Sequence, residues 1–251
     1  MIIGIPKEIK NNESRIALTP KGTALLTKRG HKVFIEKNAG IGSGFTDQEY
    51  KKAGAEIVDA REAWNADIVL KVKEPQPQEY KYFKKNKIIF TYLHLAGAPK
   101  NLTEALIKSG CVAIAYETVE KNGSLPLLKP MSEIAGKLAI QEGSKFMLKM
   151  HGVQGILLDK ISNVVPVNVA IVGAGVSGAA AAVAAAGRGA IVILLDINKE
   201  KLARLKKETH GDVRIIISTP KSILETMKKA DLLVGAVLVP GEKAPKIITE
   251  N

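Results

Sequence analysis

Residues 168–198 read "NVAIVGAGVSGAAAAVAAAGRGAIVILLDIN". An apolar run, a glycine-rich break, an alanine-rich stretch and a second apolar run ending in Asp196 spell strand, turn, helix and strand. Gly173, Gly175 and Gly178 follow G-x-G-x-x-G spacing, and each has a separate task. Gly173 makes the tight strand-to-helix turn, Gly175 lets backbone approach a pyrophosphate, and Gly178 allows close helix–strand packing. The helix N-terminus, with unpaired N–H groups and the positive end of its dipole, is then a seat for an anion. Asp196 lies where a carboxylate accepts hydrogen bonds from an adenosine ribose. Its charge would repel a 2′-phosphate, so the cofactor expected is NAD rather than NADP.

Downstream the alternation continues with a helix from Lys199 to Glu208, the strand "VRIIIS", a helix from Lys221 to Lys229 and the strand "LLVGAVLV". Upstream, "MIIGI", "KVFIE", "DIVLKV", "KIIFTYL" and "CVAIAY" read as strands among short helices. Prolines forbid continuation of the third at "KEPQPQ". "PKGTALLTKRG" reads as a helix with Pro20 in its first turn and Gly30 at its end. Strand–helix alternation predicts parallel sheets, hence an α/β chain of two Rossmann-like domains. The expected division is 1–130 for a substrate domain, 131–150 for a linking helix and 151–251 for a nucleotide-binding domain. The linking helix, "MSEIAGKLAIQEGSKFML", carries Ile134, Leu138, Ile140, Phe146 and Leu148 at roughly helical spacing, with Ser132 placed as its N-cap.

Composition narrows the function classes. In 251 residues, 46% hydrophobic and 25% charged content is that of a folded globular protein. One cysteine, Cys111, excludes an internal disulfide or a cysteine-rich zinc site and reads as a small core residue. No signal peptide or 18-residue apolar window is apparent, which predicts a cytoplasmic protein without a membrane span. The net charge of +12 is spread over lysines that alternate with glutamates, and aromatics are only 4%. That is a solvated basic surface rather than a nucleic-acid tract. It would draw small anions toward a cleft.

The blocks "GIPKEIKNNESRIALTP", "KVKEP", "FTYLHLAG", "AIAYETV", "LLKPMSE" and "VGAVLVPGEKAPK" together resemble bacterial alanine dehydrogenase from Met1 to Asn251. The resemblance implies reversible, NAD-dependent oxidative deamination of L-alanine to pyruvate and ammonia, without a metal, by a homo-oligomer, a hexamer in that family. It implies that Arg15 holds the substrate carboxylate, a task suited to a guanidinium fork, and that Lys73 is a second substrate-binding cation. It implies that His94 is the catalytic acid/base, since imidazole takes and returns a proton near neutral pH. Ser132, Val176, Ser177, Asp196, Lys201, Ser218, Val237 and Leu238 match cofactor contacts. On internal grounds alone, His94 interrupts an apolar strand end and is either a satisfied core histidine or one facing a cleft. His31, His151 and His210 have no such setting.

Two alternatives share the fold. The NAD-binding subunit of proton-translocating transhydrogenase has the opening "GIP" block, the glycine turn and the "PGxxAPK" loop but lacks the histidine. An inactive nucleotide-binding remnant of the enzyme is the other. A sheet of this kind normally has six strands in the order 3-2-1-4-5-6, and only strands one to four are legible after Asn168. The family's next segment, a "D-x-A-x-D-Q-G-G" block with a second catalytic aspartate, does not appear. The chain is therefore expected to be C-terminally truncated, with strand four a bare edge. Leaving three or four of its apolar residues uncovered forfeits on the order of 5–10 kcal/mol, at roughly 1.5–3 kcal/mol each. Weak NAD binding and little turnover are the expectation for the 251-residue chain.

Overall fold

The computed structural model describes residues 1–238 and 244–247. The chain divides into two compact units, Met1–Gly123 and Ser124–Asn251, and each is described by itself.

The first unit is a six-stranded parallel sheet. Its strands are β1 (Ile2–Ile5), β2 (Lys32–Glu36), β3 (Glu56–Val58), β4 (Ile68–Leu70), β5 (Ile88–Thr91) and β6 (Val112–Ala115), in the order β3-β2-β1-β4-β5-β6. This is the complete doubly wound order. Five of the strands were legible as apolar runs. The sixth, β3, was missed because three residues, one of them Glu56, give no periodicity to read. The helices are α1 (Pro20–Lys28), α2 (Asp47–Lys52), α3 (Ala60–Trp64) and α4 (Lys100–Ser109). The α1 boundaries follow from local chemistry. Thr19 caps its start by accepting the Gly22 amide, Pro20 fills the first turn, and Gly30 follows its end in the left-handed region. Alternate residues of the central strands, Ile3, Ile5, Val33, Ile35, Val69 and Ile89, are buried and supply the core of this unit.

The second unit opens with α5 (Lys129–Phe146) and continues as β7 (Asn168–Val172), α6 (Val176–Gly187), β8 (Ile191–Asp196), α7 (Lys199–Glu208), β9 (Val213–Ile217), α8 (Pro220–Met227) and β10 (Leu232–Gly235). Among the described residues its sheet is parallel, in the order β10-β7-β8-β9. Numbered from the glycine-turn strand, that order is the 4-1-2-3 half of a doubly wound sheet. The strand expected over "LLVGAVLV" is shorter than the apolar run. Only Leu232–Gly235 pairs with β7, with Val234 buried and Leu232 and Leu233 half-buried. Val237 and Leu238 lie beyond the pairing, and Val239 together with residues 240–243 of the expected loop "PGEKAPK" (240–246) lies outside the described residues.

The helix expected to link two domains belongs to the second unit, where it packs on α6. Ser132 is not its N-cap. The helix begins at Lys129 with Pro130 in its first turn, and the Ser132 amide already bonds the Leu128 carbonyl. Proline, with its φ preset and no amide to satisfy, starts a helix as readily as a capping side chain. The buried face also differs from the apolar pattern. Ile134, Leu138 and Phe146 are exposed, whereas Gly136 and Ile140 are buried. A Cβ on Gly136 would lie 2.1 Å from the Ser177 carbonyl oxygen and 2.9 Å from Ala180 Cβ. This helix meets α6 backbone to backbone through a glycine, a contact that a search for large apolar residues cannot find.

Candidate active site

In the first unit the expected substrate residues all emerge from the C-terminal edge of the sheet. Arg15 lies on the segment after β1, Lys73 after β4 and His94 after β5. The strand order reverses between β1 and β4, the place where doubly wound sheets generally bind their ligands. Arg15 and Lys73 flank that point.

Arg15 is held by Glu13, whose Oε1 accepts from Nε at 2.8 Å and whose Oε2 accepts from Nη2 at 2.6 Å. This two-bond pairing holds the Glu13 carboxyl down at about 2, against an ordinary 4.5. The Arg15 charge also acts on Tyr92, and that of Lys73 on Glu13. Two cations, a carboxylate and a phenol therefore share one electrostatic neighbourhood. The Lys73 carbonyl accepts the Thr91 hydroxyl at 2.9 Å, tying its segment to the end of β5.

His94 is not a core histidine: its side chain is 52% exposed. Its φ is +47°, a left-handed conformation that costs a non-glycine residue roughly 1–3 kcal/mol. Neighbouring groups hold it there. Its amide donates to Glu117 Oε1 at 2.6 Å, and its carbonyl accepts the amides of Gly97 at 2.8 Å and Ala98 at 2.9 Å. The Leu93 amide reaches the same carboxylate at 3.2 and 3.3 Å. The imidazole stacks on Tyr92, 5.7 Å between centroids and 5° from parallel, while its Nδ1 is 3.9 Å from Glu117 Oε1. Burial raises Tyr92 above its ordinary value, with Arg15 opposing and Glu117 reinforcing. The phenol is therefore neutral at physiological pH. Glu8, Glu13, Tyr92 and Glu117 escaped the sequence reading of the site. Glu117 belongs to "YETV", and Tyr92 precedes His94 by one strand period, but neither carries a role that spacing alone reveals.

In the second unit the glycine turn has the geometry its spacing predicts. Gly173 has φ +110°, and a Cβ there would lie 2.5 Å from the Ala236 carbonyl oxygen. Gly178 is packed so that a Cβ would meet the Gly173 carbonyl oxygen at 1.8 Å. Gly175 is exposed, and a Cβ would meet nothing within 4 Å. It is the N-cap of α6, with no side chain capping the helix amides. Open space over an uncapped helix start fits a pyrophosphate. Asp196 ends β8 with both oxygens in use: Oδ2 accepts the Ala174 amide at 2.6 Å and Oδ1 the Asn198 amide at 2.7 Å. Ser218 is joined to it through the backbone at 3.0 Å. Ser177 donates to the Ser132 carbonyl at 2.9 Å, so these two residues meet across α5 and α6. Lys201 and Leu238 are exposed, Val176 is 39% exposed, and Val237 is half-buried after β10. No group of three or more His, Cys, Asp or Glu among the described residues is arranged to hold a metal.

Residues 4–135 match the family described as "Alanine dehydrogenase/PNT, N-terminal domain", and residues 139–251 match "Alanine dehydrogenase/PNT, C-terminal domain". The chain belongs to the alanine dehydrogenase/PNT family. It is 50% identical over 252 residues to an alanine dehydrogenase of Bacillus subtilis (strain 168), covering 100% of this chain and 66% of that one. A solved structure titled L-alanine dehydrogenase superposes with a TM-score of 0.90 at 49% identity, covering 99% of this chain and 69% of the other. A transhydrogenase from Sinorhizobium meliloti gives 0.80 at 27% identity, over 98% and 72% of the two chains. The chain thus spans about two thirds of the length of the alanine dehydrogenases it matches. The family's two domains correspond to the two sheets, and no helix among the described residues is long and apolar enough to cross a membrane.

Proposed function

We propose that this protein is an NAD-dependent alanine dehydrogenase of the cytoplasm, interconverting L-alanine with pyruvate and ammonia. The observation that carries the reading is the setting of His94. It is an exposed imidazole, locked in a left-handed turn by Glu117 and aligned by Tyr92, on the sheet edge that also bears Arg15 and Lys73. Arg15 and Lys73 take the α-carboxylate. His94 holds the proton that must leave the water adding to the imine carbon and returns one in the reverse direction. Gly173, Gly175 and Gly178 would hold the pyrophosphate of NAD and Asp196 its ribose, and the bound cofactor would supply the hydride acceptor. Ser132, Val176, Ser177, Lys201, Ser218, Val237 and Leu238 complete the proposed nucleotide contacts. Assembly as a homo-oligomer, six copies by resemblance, is part of the same reading and is checked by light scattering.

The rival reading, a transhydrogenase-type NAD-binding subunit, needs no amino-acid site and gives His94 nothing to do. The test compares wild type with His94→Ala in NADH formation from L-alanine, in the reverse reaction, and in NAD affinity by calorimetry. Turnover should fall about 100-fold or more with NAD affinity kept. Equal, measurable turnover in the two proteins would overturn the assignment.

A further inference from the structure

Glu8 follows β1, and its carboxylate is buried. Its Oε2 accepts from Lys71 Nζ at 3.0 Å, and its Oε1 accepts the Val72 amide at 2.6 Å and, more weakly, the Lys73 amide at 3.4 Å. Lys71 is fully buried, lies 5.9 Å from the Trp64 ring centroid and makes a second ion pair with Glu79 Oε1 at 3.0 Å. Glu79 in turn accepts the Gln76 amide at 2.7 Å. One carboxylate thereby fastens the segment after β1 to the segment after β4, at the point where the strand order reverses.

Two carboxylates around one buried ammonium are a poor way to stabilise a core. Desolvation offsets most of the attraction, and burial pushes the Glu79 carboxyl above its ordinary value, toward its neutral form. What the cluster does well is fix position. Lys73 is gripped on its amide side by Glu8 and on its carbonyl side by Thr91. On the segment after β1, the Glu8 charge also acts on Arg15.

We propose that Glu8 is the positioning residue of the carboxylate site: by clamping the Val72–Lys73 backbone it sets where Lys73 stands relative to Arg15. The inference rests on the reading that Arg15 and Lys73 hold the substrate carboxylate. Glu8 itself touches no substrate and works through two amides, so charge at this position matters less than a well-placed oxygen.

That distinction supplies the test. Glu8→Ala removes the clamp and leaves Lys71 its second partner, Glu79. Its KM for pyruvate, or its pyruvate Kd by calorimetry, should rise about tenfold while kcat stays within about threefold, because only carboxylate binding is lost. Glu8→Gln retains an oxygen for both amides but turns its NH2 toward the Lys71 ammonium, so its KM should rise by less than that of Glu8→Ala. The Val72 amide resonance reports the contact without any turnover: it should move upfield and exchange faster in Glu8→Ala but not in Glu8→Gln. Lys73→Ala separates the two layers of the argument. A raised KM in Lys73→Ala with an unchanged one in Glu8→Ala overturns the positioning role alone. No change in Lys73→Ala overturns the substrate reading and this inference with it. A fall in kcat or unfolding midpoint for Glu8→Ala at constant KM would mark a purely structural ion cluster and also overturns the proposal.

Discussion

The backbone amide of His94 donates to Oε1 of Glu117 across 2.6 Å, while the imidazole Nδ1 stands 3.9 Å from the same oxygen. The carboxylate therefore acts on the histidine's backbone rather than bonding its ring. Substituting Glu117→Ala should release the left-handed turn and lower kcat by about 100-fold, the cost of displacing a catalytic group by about an ångström. Glu117→Gln keeps an acceptor for the amide and should retain most of the rate. Steady-state kinetics of both variants check this; equal losses would mean that the charge, not the geometry, is what matters.

A pH dependence follows from Glu13. The hydrogen bond from Arg15 is the largest cause that holds its carboxyl at about 2, against an ordinary 4.5, and burial opposes it. A depressed folded-state pKa contributes stability that is complete above about 4.5 and fades as pH falls toward 2. Urea unfolding of wild type and Glu13→Gln should show a gap in stability that is constant from neutral pH to about 5 and then closes. A gap that widened on acidification would contradict the pairing.

Two glycines of one turn should fail in different ways. Gly178→Ala places a Cβ 1.8 Å from the Gly173 carbonyl oxygen, so the helix must move and the unfolding midpoint should drop. Gly175→Ala meets nothing within 4 Å at φ −74°, so stability should hold. Only NAD affinity should suffer there, by about tenfold, because the new methyl takes the space of the pyrophosphate. Thermal unfolding alongside calorimetric NAD titration distinguishes the two.

Gly136 offers a stability test remote from the chemistry. Gly136→Val would drive a branched side chain into the Ser177 carbonyl oxygen, already 2.1 Å from a single Cβ. Destabilisation of about 1–3 kcal/mol is expected from overpacking, read as a lower urea midpoint with an unchanged slope. A neutral outcome would mean that α5 and α6 do not meet as closely as described.

Much of this protein is written locally. The alternation of apolar runs and helices predicted parallel α/β sheets. The spacing of Gly173, Gly175 and Gly178 predicted a turn whose φ and packing follow from steric needs of the backbone alone. Those signals survive in one dimension because each depends on residues adjacent in the chain. Ser132 shows the limit. A serine before an apolar stretch looks like a cap, but Pro130 starts the helix earlier, and the serine contributes its carbonyl to Ser177 instead.

From sequence alone came the fold class, the glycine turn and the family. Tertiary structure decided which face of α5 is buried, that β3 completes a six-stranded sheet, and how His94 and Lys73 are held. Glu8 and Val72, or Glu117 and His94, are far apart in the chain and meet only because parallel strands bring their C-terminal ends to one edge. Hydrogen bonds of that kind leave no periodicity, and so no trace in the sequence until the sheet is built.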